Sequence, residues 1–103
     1  MIYHVVTAMD WTRQQDAPVY EAASLQTEGF IHLSTREQVA GVLERYYQNV
    51  PDLLLLQVDE SRLTHELKYE AATNNELFPH LYGPLNKEAI VSIDSVNNNG
   101  VAA

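Results

Sequence analysis

Three histidines sit inside apolar runs, where an imidazole is costly unless its ring nitrogens find partners. His4 interrupts IYHVV (2–6), His32 interrupts GFIHLST (29–35), and His80 lies within FPHLYGPL (78–85). Imidazole exchanges protons near neutrality and can serve as acid, base or hydrogen-bonding group for a ligand. Near these runs stand a carboxylate and a phenol that suit the same work. Glu70, in KYEAA, suits a general base or a group that stabilises a developing cation. Tyr82, in PHLYGP, suits stacking on a planar ring, or simply pinning its own segment. Each histidine also has a plain structural reading, a ring satisfied by a backbone carbonyl. A zinc site built from His4, His32 and His80 lacks the close ligand pair such sites carry, and no H-E-x-x-H occurs around His65. No Gly-rich phosphate loop and no G-x-S-x-G elbow is present.

The elements that must position these side chains follow from apolar periodicity. Residues 2–6 read as a strand, and 7–15 as a short helix with Thr7 as its N-cap and Asp10 in the first turn. A short strand at 19–22 leads to a turn that closes at Gly29. Strand 30–33 places His32 on the face of Phe30 and Ser34, opposite Ile31 and Leu33. If it lies beside strand 2–6, His4 and His32 project into one cleft. STREQVAGVLERYYQN then reads as a helix. Ser34 and Glu37 form a capping-box pattern, and Val39, Val42, Leu43 and Tyr46 make one apolar face. The helix start after His32 offers free N–H groups, and Arg36 in its first turn suits an anionic partner. Residues 52–59 hold the uninterrupted apolar run Leu53 to Leu56 and are expected to be a central strand covered on both faces. Residues 60–67 read as a turn or short helix, 67–72 as a strand, 73–87 as a long loop fixed by Pro79, Gly83 and Pro84, and 88–96 as the last strand. Five or six strands and two or three helices in mixed order indicate an α+β fold.

The 103 residues indicate one domain over 1–96, with 97–103 a frayed tail. A chain of this length buries about 65% of its unfolded surface, enough for one core. It has no cysteine, so neither disulfides nor thiolate metal sites arise. The net charge of −8, with six scattered Lys and Arg, argues against nucleic acid and against an anionic membrane surface. The N-terminus has no basic, then apolar, leader pattern, and the longest apolar run is Leu53 to Leu56. A soluble, cytoplasmic protein is expected.

Together, IYHVV, EGFIHLSTREQV, LLLLQVD, LKYE and FPHLYGPL resemble the small bacterial domain family known as domain of unknown function 952, over residues 2 to about 93. More distantly, the order resembles the ADP-ribosyltransferase fold. Its poly(ADP-ribose) polymerases begin with a histidine-bearing strand, like His4 in IYHVV, and its tRNA 2′-phosphotransferases carry a stretch like His32-Leu33-Ser34. That resemblance implies a split β-barrel of two small sheets around an NAD-type cleft. His4 would hold ribose hydroxyls, and His32 and Ser34 the nicotinamide ribose or a phosphate. His80 and Tyr82 would form a wall, with Arg36 nearby. The catalytic glutamate falls by position on Glu88, with Glu70 as its rival. Where the polymerases place a tyrosine on nicotinamide, this chain has His32. The implied ligand is a small molecule such as NAD or an ADP-ribose-containing nucleotide, with ADP-ribosyl-transfer chemistry. The alternative is a non-catalytic small-molecule or protein-binding module in which the histidines order the core.

Overall fold

The computed structural model describes residues 1–96. Eight strands and three α-helices follow one another along the chain. They are β1 (Ile2–Thr7), α1 (Ala8–Arg13), β2 (Val19–Tyr20), α2 (Ala23–Thr27), β3 (Ile31–His32), α3 (Val39–Tyr46), β4 (Leu53–Val58), β5 (Glu66–Ala71), β6 (Leu77–Tyr82), β7 (Leu85–Asn86) and β8 (Ile90–Val96). Short 3₁₀ turns occupy 36–38, 60–62, 73–75 and 87–89. All strand pairing is antiparallel, in three sheets of order β1-β4-β8, β2-β7 and β3-β6-β5. The fold is α+β, as expected, but it has three sheets rather than two, and they do not close into a barrel.

β4 explains its own composition. Leu54, Leu56 and Val58 face one cluster with Ile2, Val6, Tyr20, Ile31, Leu33, Leu81 and Leu85. Leu53 and Leu55 face a second, with Tyr3, Val5, Val39, Leu43 and Val96. A strand covered on both sides needs no polar alternation. Thr7 caps α1 by accepting from the Asp10 N–H at 3.1 Å. The larger helical unit is capped one residue later than expected. Thr35, not Ser34, precedes the first turn, and the Gln38 side chain accepts from the Thr35 N–H at 2.9 Å. Ser34 instead bridges to β1 through its backbone.

The chief correction concerns 73–87. This segment is not a loop: it holds β6, the central strand of its sheet, and β7. Pro79 is tolerated in β6 for a geometric reason. Its carbonyl accepts from the Leu33 N–H at 2.9 Å, so its backbone turns toward β3, whose pairing ends at His32. In an antiparallel ladder a residue's N–H and C=O face the same neighbour. The N–H that proline lacks would therefore have faced the Leu33 carbonyl, so the single missing bond falls where the β3 pairing ends, and the β5 side of the ladder loses nothing.

The turn after β6 is tight at Gly83. A Cβ there would lie 2.3 Å from Cγ and 2.7 Å from Cβ of His65, the histidine outside the apolar runs. Gly83→Ala is expected to cost about 1–3 kcal/mol through forced displacement of His65 and its backbone. Urea unfolding checks this, and a variant as stable as the wild type would show that His65 moves aside freely.

Candidate functional site

A groove of about 630 Å³ runs along β1. His4, Val5, Val6 and Thr7 all line it. Side chains alternate along a strand, so four consecutive residues meet one groove only where the strand edge faces it. The hydrogen bonds explain why that edge is open. Tyr3 donates to the Ser34 carbonyl at 2.8 Å and accepts from the Ser34 N–H at 2.7 Å. Two residues on, Val5 turns its N–H and C=O the same way, toward the stretch that runs back from Ser34 to His32, but that stretch pairs with β6 and its His32 carbonyl accepts from the His4 ring instead. The Val5 carbonyl accepts a long hydrogen bond, 3.4 Å, from the Tyr47 hydroxyl. Tyr20, Tyr47 and Phe78 supply aromatic lining, and Asp10 and Glu28 bring carboxylates; no Lys or Arg lines the groove. Asp10 pairs with Arg13 on α1.

His4 and His32 both line this groove, as their strands suggested. They meet through backbone rather than ring to ring: His4 Nδ1 donates to the His32 carbonyl at 2.7 Å. That bond fixes the tautomer, so the second ring nitrogen, Nε2, accepts from the Tyr20 hydroxyl at 3.0 Å. Both ring nitrogens of His4 are thus used inside the protein, and the residue is only 7% exposed. Burial lowers its pKa from 6.5 to about 4, with the His32 carbonyl offsetting part of the effect. Burial likewise raises the Tyr20 and Tyr47 hydroxyls above their ordinary range. His32 is half exposed and pairs with Glu28 at 3.1 Å. Ser34 is buried in the groove wall.

A second group lies on the outer face of the β3-β6-β5 sheet. Glu70 Oε1 accepts from His80 Nδ1 at 2.9 Å and from the Tyr82 hydroxyl at 2.5 Å. These bonds, Tyr82 first, hold the Glu70 carboxyl below its ordinary range, and they push the Tyr82 phenol up. Phe30 stacks on the His80 ring at 4.1 Å and 15°, and the His32 ring meets His80 edge-on at 5.3 Å. The Lys68 ammonium lies 5.0 Å from the Tyr82 ring centre.

The structure therefore brings His32, Glu70, His80 and Tyr82 into one neighbourhood, and His4, His32 and Ser34 onto one groove. It does not bring Glu88 or Arg36 to either. Glu88 is exposed on the 87–89 turn, and Arg36 is exposed on the 36–38 turn. Four participants were not singled out in the sequence: Tyr20, Glu28, Phe30 and Val5. Phe30 was within reach, since alternation puts it on the face of His32. Tyr20 lies on the short strand β2, in the stretch read as a strand at 19–22, but its pairing with β7 is not set by local pattern, and Glu28 comes from the turn after α2. Among the described residues no group of three His, Cys, Asp or Glu is placed to hold a metal ion. No helix there is long and apolar enough to cross a membrane.

A family model described as protein of unknown function (DUF952) matches residues 5–93. Curated proteins offer no match. Protein CC0527 from Caulobacter crescentus has a similar structure. Its crystal structure gives a TM-score of 0.85 at 30% identity, covering 99% of this chain and 92% of that one. A crystal structure of its double-methionine variant gives 0.85 at 28% identity, with the same coverage. Its solution NMR structure gives 0.78 at 30% identity, covering 97% and 89%. The family match takes in His32 and His80 and begins one residue after His4, and by it this chain belongs to the DUF952 family.

Proposed function

We propose that this domain binds a small molecule of the NAD class in the groove along β1, holding it by the nicotinamide end. The observation that carries this reading is the open backbone edge of Val5, inside a groove with aromatic lining. A carboxamide offers one acceptor and two donors, so it can pair with the Val5 N–H and C=O as a neighbouring strand would. The volume of about 630 Å³ lies in the usual range for a small-molecule site. The charge pattern selects among such ligands. Asp10, Glu28 and the tyrosine rings favour a positively charged ring, as in oxidised nicotinamide. The absence of Lys and Arg from the lining disfavours a pyrophosphate inside, so the ADP half would extend beyond the rim. In this arrangement His32 and Ser34 stand at the nicotinamide ribose. His4 orders Tyr20 and the β3 backbone rather than gripping a ribose.

ADP-ribosyl-transfer chemistry, on the resemblance to that fold, would use a carboxylate near the ribose. Glu28 is in the groove lining, whereas Glu70 is committed to His80 and Tyr82. A binding module without catalysis is the second reading, favoured by the internal use of both His4 nitrogens.

NMR titration of the labelled protein with NAD⁺, nicotinamide and ADP-ribose, each separately, tests the proposal. NAD⁺ and nicotinamide are expected to give saturable shifts at Val5, His32 and Ser34, and ADP-ribose weaker ones. Unmoved Val5 and His32 signals at millimolar NAD⁺ and nicotinamide would remove the NAD reading.

A further inference from the structure

The His80 group is built around one atom that has no partner. A carboxylate only accepts hydrogen bonds, so both His80 Nδ1 and the Tyr82 hydroxyl donate to Glu70. In the neutral ring the proton is therefore on Nδ1, and Nε2 carries a lone pair. His80 is 4% exposed, and its Nε2 is fully enclosed with no hydrogen-bond partner. Among the described residues it is the one buried side-chain N or O in that state. An unpaired buried acceptor is costly, and a core position would be served as well by an apolar side chain. The fold instead spends a carboxylate and a tyrosine on fixing which way this ring points.

The enclosure has a definite cover. Phe30 lies flat on the His80 ring, and His32, whose ring meets His80 edge-on, also lines the groove. Phe30 is itself only half-buried. It follows Gly29, which has φ +89 and nothing within 4 Å of the position a Cβ would take. Phe30 thus stands between a glycine with left-handed backbone and the short strand β3, while β6 and β5 hold His80 in place.

We infer that His80 Nε2 is the acceptor for a ligand hydroxyl, admitted from the groove side when Phe30 turns away. Glu70 is a positioning residue that keeps Nε2 as the accepting nitrogen. A neutral hydroxyl fits better than an ammonium, because it satisfies the lone pair without placing a second charge beside the His80 ring and Phe30. The inference does not need an NAD-class ligand.

Two measurements test it. Long-range ¹H–¹⁵N NMR of the wild type reads the tautomer directly. Neutral His80 is expected to carry its proton on Nδ1, with Glu70→Gln weakening that preference; a proton on Nε2 overturns the inference. Carbethoxylation by diethyl pyrocarbonate, mapped by mass spectrometry, reads access to the lone pair. A buried group reacts only through local opening, so Phe30→Ala should speed reaction at His80 about tenfold and leave exposed His65 unchanged. Phe30→Leu, which keeps more of the packing, should give an intermediate rate. D-ribose, as a hydroxyl probe, should slow His80 modification in Phe30→Ala by about twofold or more once near its dissociation constant. His80 that stays as slow in both variants as in the wild type, or is unprotected by high D-ribose, overturns the inference. Protein that shows this behaviour but gives no NAD⁺ titration loses the groove reading alone.

Discussion

Leu56→Ala is expected to destabilise the protein by about 2–5 kcal/mol, a large part of the about 5–15 kcal/mol that holds a domain of this size together. Leu56 is 0% exposed and sits in the middle of β4, the central strand of its sheet. It is opposite His4 on β1 and Ile93 on β8. Its side chain fills the cluster that includes Ile2, Val6, Tyr20 and Ile31. Neighbours on both flanking strands are fixed by backbone pairing, so they cannot close over the space that alanine leaves. The cost therefore includes a cavity as well as the lost transfer of apolar atoms from water. Urea unfolding of the wild type and the variant measures it. A loss under about 1 kcal/mol would show that the sheet collapses around the gap, contrary to this packing. The variant has a local consequence too. The new space lies next to the His4 ring, whose pair with Tyr20 is held in place by that cluster.

Much of this arrangement is legible in the sequence because short-range rules decide it. The LLLL run of β4 has no polar alternation, and both of its faces are indeed covered. Thr7 and Asp10 mark the start of α1, and period-two alternation puts Phe30 with His32. Other features depend on contacts distant in sequence. Pro79 reads as a loop signal because proline removes a ladder donor. It is tolerated in a central strand because the one bond it forgoes lies opposite Leu33, where the β3 pairing ends, and no local pattern reports where a neighbouring strand stops. Ser34 satisfies the capping pattern as well as Thr35 does, but β1 claims the Ser34 backbone, and the cap moves on by one residue. The histidines show the same division. Their apolar settings mark them as residues in need of partners. The partners themselves, Tyr20, Glu28 and Glu70, come from other elements. The open edge at Val5 has no signature in residue type at all, since it is a property of where β3 turns away from β1 to pair with β6.

Acidification should remove about 3 kcal/mol of stability between pH 6.5 and pH 4 through His4 alone. The direction follows from proton counting. Unfolded His4 binds a proton near pH 6.5, whereas the folded ring resists one until about pH 4, chiefly because burial disfavours the charged form. Between those values the unfolded chain holds more protons than the native state, so stability rises with pH across the window and is complete above it. The geometry adds to the penalty of charging. Protonation would put a proton on Nε2, which now accepts from the Tyr20 hydroxyl at 3.0 Å, so that hydroxyl would have to turn round within a buried cluster. Glu70 acts in the same sense at lower pH. Its folded pKa is depressed by Tyr82 and His80, so its contribution is present above the unfolded carboxylate value and is lost as pH falls through the folded one. Two measurements check this account: urea unfolding at pH 7 and at pH 4.5, and titration of the His4 ring by NMR. A His4 ring that titrates above pH 6 in the folded protein would contradict it, and the acid loss would then belong to the carboxylates. If His4 titrates near pH 4 instead, the ring is neutral at physiological pH. Its place in the groove wall is then that of a fixed hydrogen-bonding strut between β1, Tyr20 and the His32 backbone.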